Sequence, residues 1–137
     1  EEMARRAGET EYYFAIVLKE TGKVIGEIEA YPESKGPGSE SPDTFSPNWM
    51  LNEKYQGHGY AFEAAHAFLD YLFREKGARR IYTYTEDYNL SCQHLCEKLG
   101  MRREGLFLEF VSFVKNPDGT PKYENTMQYA ILEKEWH

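Results

Sequence analysis

The chain has 137 residues, of which 41% are hydrophobic and 15% aromatic, and a formal net charge of −7. That length buries one core and most simply makes a single domain over 1–137, and the aromatic share excludes a disordered polymer. The acidic balance argues against a nucleic-acid partner, which needs a basic footprint, and no run approaches the ~18 apolar residues of a membrane span.

Glu2 to Arg6 reads as the tail of a helix, stopped by Gly8. Tyr12 to Leu18 is rich in aromatic and β-branched residues and predicts a strand. Thr21-Gly22-Lys23 is a hairpin signal. The next strand, Val24 to Tyr31, contains Gly26, which points to a bulge or a close backbone approach. Period 2 puts Val24, Ile28 and Ala30 on one face and Glu27, Glu29 and Tyr31 on the other. Pro32 to Pro42 is a Gly-, Pro- and Ser-rich loop. Phe45 to Leu51 predicts another strand, with an irregular ladder at Pro47.

Tyr60 to Lys76 is the clearest helix. Ala61, Ala64, Ala65, Phe68 and Leu72 follow the 3.6 period, Glu63, Asp70 and Arg74 fall opposite, and Gly77 is a natural stop. Ile81 to Thr85 predicts a strand with Tyr82 and Tyr84 on one face. A second helix, Leu90 to Leu99, aligns Cys92, Leu95, Cys96 and Leu99, and Gly100 ends it. Leu106 to Val114 and Tyr123 to Leu132 are strands joined by the turn Asn116-Pro117-Asp118-Gly119. The order is β-β-β-α-β-α-β-β, a mixed α/β domain without internal repeats. Cys92 and Cys96 share one helix, so no disulfide is expected and a reducing, cytoplasmic compartment is the simple reading. His94 falls on the other side of that helix from both cysteines, so the three do not converge and no metal is expected.

The chemistry concentrates in Gln56-Gly57-His58-Gly59-Tyr60-Ala61, between a strand and the start of the long helix. A helix start carries unpaired N–H groups and partial positive charge, and glycines let those amides wrap an anion with no Cβ in the way. At ~1.5–3 kcal/mol for each charge-assisted hydrogen bond, three or four would hold a pyrophosphate without any lysine. A plain helix-start turn is the alternative. The segment is no P-loop, because Gly-Lys-Ser/Thr does not follow, and a dinucleotide fingerprint would need a third glycine.

That segment resembles the Gln/Arg-x-x-Gly-x-Gly/Ala acyl-CoA motif of the GNAT N-acetyltransferase superfamily. With Glu63-Ala64 it is similar to the Gly-Tyr-Ala-x-Glu-Ala of the branch that acetylates ribosomal-protein amino termini. Asn89-Leu90-Ser91-Cys92, followed by Glu97-Lys98-Leu99-Gly100-Met101-Arg102-Arg103-Glu104-Gly105, resembles that branch's second motif, and Tyr129 to Trp136 its last strand. The resemblance covers about Tyr12 to Trp136. It implies a mostly antiparallel sheet with a central splay and helices on both faces. It also implies acetyl-CoA as cosubstrate, with direct transfer to a primary amine, either a protein amino terminus or a small molecule. Pyrophosphate binding then falls to Gln56, Gly57, His58, Gly59, Tyr60 and Ala61. Main-chain pairing with the pantetheine arm falls to Met50 and Leu51, and further contacts to Asn89, which would otherwise be a plain N-cap.

Two positions depart from the pattern. Cys92, a further implied cofactor contact, replaces the usual serine with a weaker donor, and Cys96 stands where much of the superfamily has the tyrosine that protonates the leaving thiolate. Cys96 either takes over as that acid or simply packs in the core. Glu27 and Glu29 share a strand face beside the implied splay, where a carboxylate would act as base or attract the incoming ammonium, and Glu27 is the candidate catalytic residue; an ordinary solvated strand face is the alternative. The resemblance calls for a first strand and helices before Tyr12, so the domain is expected to lack its amino-terminal part. The strand at Tyr12 to Leu18 would then expose an edge and invite a homodimer. A CoA-binding sensor without chemistry is the alternative function.

Overall fold

The computed structural model describes residues 2–5, 12–33 and 42–136. Seven strands form one sheet: β1 (Glu2–Arg5), β2 (Tyr13–Leu18), β3 (Lys23–Glu33), β4 (Thr44–Leu51), β5 (Arg80–Glu86), β6 (Arg102–Lys115) and β7 (Pro121–Leu132). Helix α1 (Tyr60–Arg74) joins β4 to β5, and α2 (Leu90–Lys98) joins β5 to β6. The spatial order is β1-β2-β3-β4-β5-β7-β6. Every pairing is antiparallel except β4 with β5.

Glu2–Arg5 corrects the first expectation. It is a strand on β2, with Glu2 opposite Val17 and Arg5 opposite Phe14, not a helix tail. A helical turn that short gains little by itself, whereas the edge of β2 offers a row of unpaired N–H and C=O groups. With β1 in place, the β2 edge is covered, and the argument for a homodimer through it falls away. Gly8 and most of the loop expected at Pro32 to Pro42 lie outside the described residues.

Strand β3 carries both irregularities that Gly26 suggested. The register slips so that Ile16 faces Gly26 while Val17 faces Val24, leaving Ile25 as the extra residue of a bulge. A Cβ on Gly26 would lie 2.3 Å from Met50 O, so only glycine allows β4 this close. The bulge resets the side-chain alternation. Ile25 turns into the core at 1% exposure and Val24, expected inside, is 64% exposed.

Phe14, Ile28, Phe45 and Ile81 share one sheet face, and onto it α1 packs Ala64, Ala65, Phe68, Leu69 and Leu72. The small alanines let the helix axis approach the sheet. Phe68 and Phe45 are fully buried, and the Phe14 ring meets Phe68 edge-on at 5.8 Å. Helix α2 lies over the same face, where Tyr129 donates to Glu97 at 3.4 Å. Register carries that face from Ile81 and Thr83 to Ile131 and Tyr129. Among the described residues both helices therefore occupy one face, where the resemblance implied helices on both. The opposite face carries Glu27, Glu29, Tyr31, Tyr82 and Tyr84. No helix among the described residues is long and apolar enough to cross a membrane.

Candidate active site

The sheet opens between β4 and β5. They pair only at Thr44 with Arg80 and Phe45 with Ile81, and then diverge. Thr83 Oγ1 still reaches Pro47 O at 3.3 Å, just past the last ladder pair. Pro47 is suited to this place. Asn52 N–H donates to Ile25 O at 2.7 Å, which fixes the alternation of bonded pairs along β3 and β4. Pro47, Trp49 and Leu51 are then the β4 residues whose main chain turns from β3 toward the gap. The missing N–H of Pro47 leaves no ladder bond unmade. Of the two residues expected to meet the pantetheine arm, Leu51 presents its main chain to the opening, as Trp49 does, whereas the main chain of Met50 bonds toward β3 opposite Glu27.

The opening holds a cleft of about 950 Å³. One end is the glycine turn. Gly57 and Gly59 have φ of +83° and +82°, a left-handed backbone that favours glycine. A Cβ on either would meet nothing within 4 Å, so the room beside them is open. Gly59 is the N-cap of α1, and no side chain caps the helix. The first bond inside the helix runs from Glu63 N–H to Gly59 O, so the amides before it have no intrahelical partner. Gln56 Nε2 donates to Leu51 O at 3.1 Å and ties the turn to the strand end.

Met50, Leu51, Gln56, Gly57, Gly59, Ala61, Asn89 and Cys92 all line the cleft. His58 and Tyr60 do not; their rings lie 5.6 Å apart beside it. Ala61, placed on the core face by its period, is half-buried and turned to the cleft instead. Asn89 is an N-cap as well, accepting the Cys92 N–H at 3.2 Å. Glu27 accepts from the Tyr13 hydroxyl and sits across from Met50 without lining the cleft. Cys96 is fully buried in the core and is absent from the lining. Its thiol donates to Cys92, and that pairing, together with burial, pushes its pKa far up. The packing role fits this geometry, and the acid role does not.

Other lining residues carry no motif. Lys98 Nζ lies over the Phe62 ring at 4.4 Å, and both border the cleft. Glu86 lines it from the tyrosine-bearing face. Thr85 and Thr126 also line it, and their buried hydroxyls have no hydrogen-bond partner of normal geometry. Such a group costs about 1–3 kcal/mol until something binds it, which fits a cleft built for a polar ligand. The far wall comes from a wide bulge in β6. Phe107 faces Thr126 and Val111 faces Glu124, so residues 108–110 stand against Asn125 alone. Glu109 has φ +47°, and its N–H donates to Asn125 Oδ1 at 2.9 Å. Asn125 Nδ2 donates in turn to Asp87 Oδ2 at 3.1 Å. The bulge brings Phe110 and Val111 to the cleft, with the Phe110 ring 5.7 Å from Tyr84. Nothing in the sequence marks it, because its left-handed residue is a glutamate and not a glycine.

The family model of the acetyltransferase (GNAT) domain matches residues 1–102. The chain belongs to the GNAT acetyltransferase family. The uncharacterized N-acetyltransferase YnaD of Bacillus subtilis (strain 168) is 34% identical over 133 residues, which are 97% of this chain and 71% of that protein. The crystal structure of a GNAT-family acetyltransferase from Bacillus anthracis superposes with a TM-score of 0.74 at 34% identity, over 90% of this chain and 68% of that one. A ribosomal-protein alanine acetyltransferase from Vibrio fischeri gives a TM-score of 0.75 at 20% identity, over 91% of this chain and 63% of that one, a likeness of fold alone. As a GNAT enzyme the protein is an acetyl-CoA-dependent N-acetyltransferase, moving an acyl group from acetyl-CoA to an amine. The resemblance read from the glycine turn and the Asn89 segment is thus borne out at the level of family and fold.

Proposed function

We propose that this GNAT enzyme transfers acetyl directly to a primary amine in a ternary complex assembled across the sheet. The observation that carries the reading is the two-sided lining of the cleft. Thr83, Thr85, Cys92 and Leu95 border it from the helix side, and Tyr84, Glu86, Phe110 and Thr126 from the other. The glycine turn leads into α1, which packs on the helix side, so the cosubstrate enters there and the amine meets it from the opposite face. Amides at Gly57, Gly59 and Ala61 hold the pyrophosphate. The outward main chain of Trp49 and Leu51 pairs with the pantetheine arm, as an added strand would. When bound, acetyl-CoA supplies the activated acyl carbon.

An amine attacks only when neutral, so a base must take its proton. Glu86 is the carboxylate that lines the cleft on the acceptor side, and we assign it that task. Glu27 lies next to the cleft and adds negative charge to the face that an ammonium approaches. Both assignments bear on one experiment. Thiol release from acetyl-CoA is followed over a panel of polyamines, aminoglycosides and peptides with free amino termini. At least one amine should turn over, and Glu86→Gln should lower kcat by about 100-fold, within the range for a lost general base. Glu27→Gln should raise KM for the amine and leave kcat nearly intact. The reverse pattern would return the base to Glu27. Saturable CoA binding with no turnover of any amine would favour a binding module over an enzyme.

A further inference from the structure

Acetyl transfer as described leaves one reactive group in the cleft without a task. Cys92 sits in the first turn of α2, half-buried, and lines the cleft. Its position near the helix start favours a thiolate, since partial positive charge gathers there. Cys96, one turn on, donates its S–H to Cys92, which outweighs burial. The charge of Glu86 opposes the effect, and the net shift of the Cys92 thiol is downward. The same pairing and burial hold the proton on Cys96. The two cysteines are therefore unlike. One is a cleft-facing nucleophile, and the other is a buried donor that supports it. The buried, unpartnered hydroxyls of Thr85 and Thr126 border the same cleft, Thr85 from the side of Cys92 and Thr126 from the opposite face, and fit a polar ligand lying through it.

Resting on the cofactor reading above, we propose that Cys92 is a thiol–disulfide exchange site for disulfides of CoA, seated by the contacts that hold acetyl-CoA. The Cys92 thiolate attacks one sulfur of the CoA disulfide. The S–S bond breaks, a Cys92–S–S–CoA bond forms, and the second CoA leaves as a thiolate that takes a proton from water. The disulfide is itself the oxidant, so no other is needed. Because the cleft is lined from both faces of the sheet, the departing half exits toward the tyrosine-bearing face. Binding before reaction raises the effective concentration of the disulfide at Cys92, which a small disulfide without a nucleotide cannot exploit. The adduct occupies the acetyl-CoA site, so it silences the enzyme until a thiol releases it.

The test uses the whole chain with CoA disulfide or 2-hydroxyethyl disulfide at equal concentration. Intact mass and peptide mapping follow the adduct, and calorimetry of the untreated protein measures CoA binding. The expected result is one CoA per chain, on Cys92, formed at least about tenfold faster than the small adduct. Acetyl-CoA should slow its formation, dithiothreitol should remove it, and Cys92→Ser should not acquire it. Equal rates for the two disulfides, or labelling of Cys96, would overturn the proposal. So would an unlabelled protein that still binds CoA in the calorimeter, and this outcome leaves the acetyltransferase reading intact. No binding and no adduct would overturn both.

Discussion

Gly59→Ala isolates the phosphate-binding claim from fold stability. Gly59 has φ +82°, and a Cβ there meets nothing within 4 Å. The substitution therefore adds no clash inside the protein. Its cost to folding is the left-handed backbone alone, ~1–2 kcal/mol. Gly22, at the β2–β3 turn, is a matched control: φ +71°, nothing within 4 Å of its Cβ, and no part in the cleft. Gly22→Ala and Gly59→Ala should then lower Tm by similar amounts, roughly 3–10 °C. They should differ in binding. A methyl group beside the Gly59 amide stands where a phosphate oxygen must approach, and losing about two charge-assisted hydrogen bonds at ~1.5–3 kcal/mol each weakens CoA by roughly 100-fold or more. Differential scanning calorimetry and titration calorimetry with CoA read the two quantities. If Gly59→Ala binds CoA as Gly22→Ala does, the pyrophosphate does not rest on this turn, and the reasoning fails.

Asn125→Ala should break the link from Asp87 through Asn125 to Glu109 that holds the β6 bulge. We expect a stability loss of about 1–2 kcal/mol and a larger rise in KM for the amine than in Kd for CoA, because Phe110 and Val111 lose their support. Unchanged amine kinetics would make the bulge merely structural. Lys98→Met should weaken CoA by roughly tenfold at low ionic strength and progressively less as salt screens the charge, and a salt-independent effect would count against a phosphate contact. Glu104 bridges Arg80 at 2.7 Å and Arg102 at 3.0 Å, and the Arg80 guanidinium in particular holds its carboxyl below the usual range. A depressed folded pKa means that this stabilisation is full above the ordinary glutamate pKa of ~4.3 and is lost as pH falls through the lower folded value. Thermal melts across that acidic window should fall less steeply for Glu104→Gln than for the wild type, by up to about 1 kcal/mol given the partial exposure of the pair. Parallel curves would refute the linkage.

Much of the site was legible because it rests on local backbone demands. Two glycines before an amphipathic run announce a left-handed turn at a helix start, and Asn89 announces an N-cap. Pro47 suggested an irregular ladder, but β3 and β4 stay in register through it, because its missing N–H faces the gap and not β3. What stayed hidden depends on partners distant in sequence. Cys96 lies on the apolar side of α2, and whether that side meets a cleft or a core is decided by the sheet beneath it. Glu27 and Glu86 are both strand glutamates. Which of them lines the cleft follows from where β4 leaves β5.

The chain by itself determined the order of elements from β2 onward, the glycine turn and the pairing of motifs that placed it among the GNAT acetyltransferases, because each is written within a window of a few residues. Tertiary structure alone decided which side of the sheet each element covers, where the sheet parts, and which side chains meet in the gap. A single extra residue, as at Ile25, inverts the alternation of everything before it on the strand, and three opposite Asn125 build a wall that no local pattern announces. The physical reason is that strand pairing is a long-range choice, and the faces of a sheet take their identity from the partner as much as from the strand.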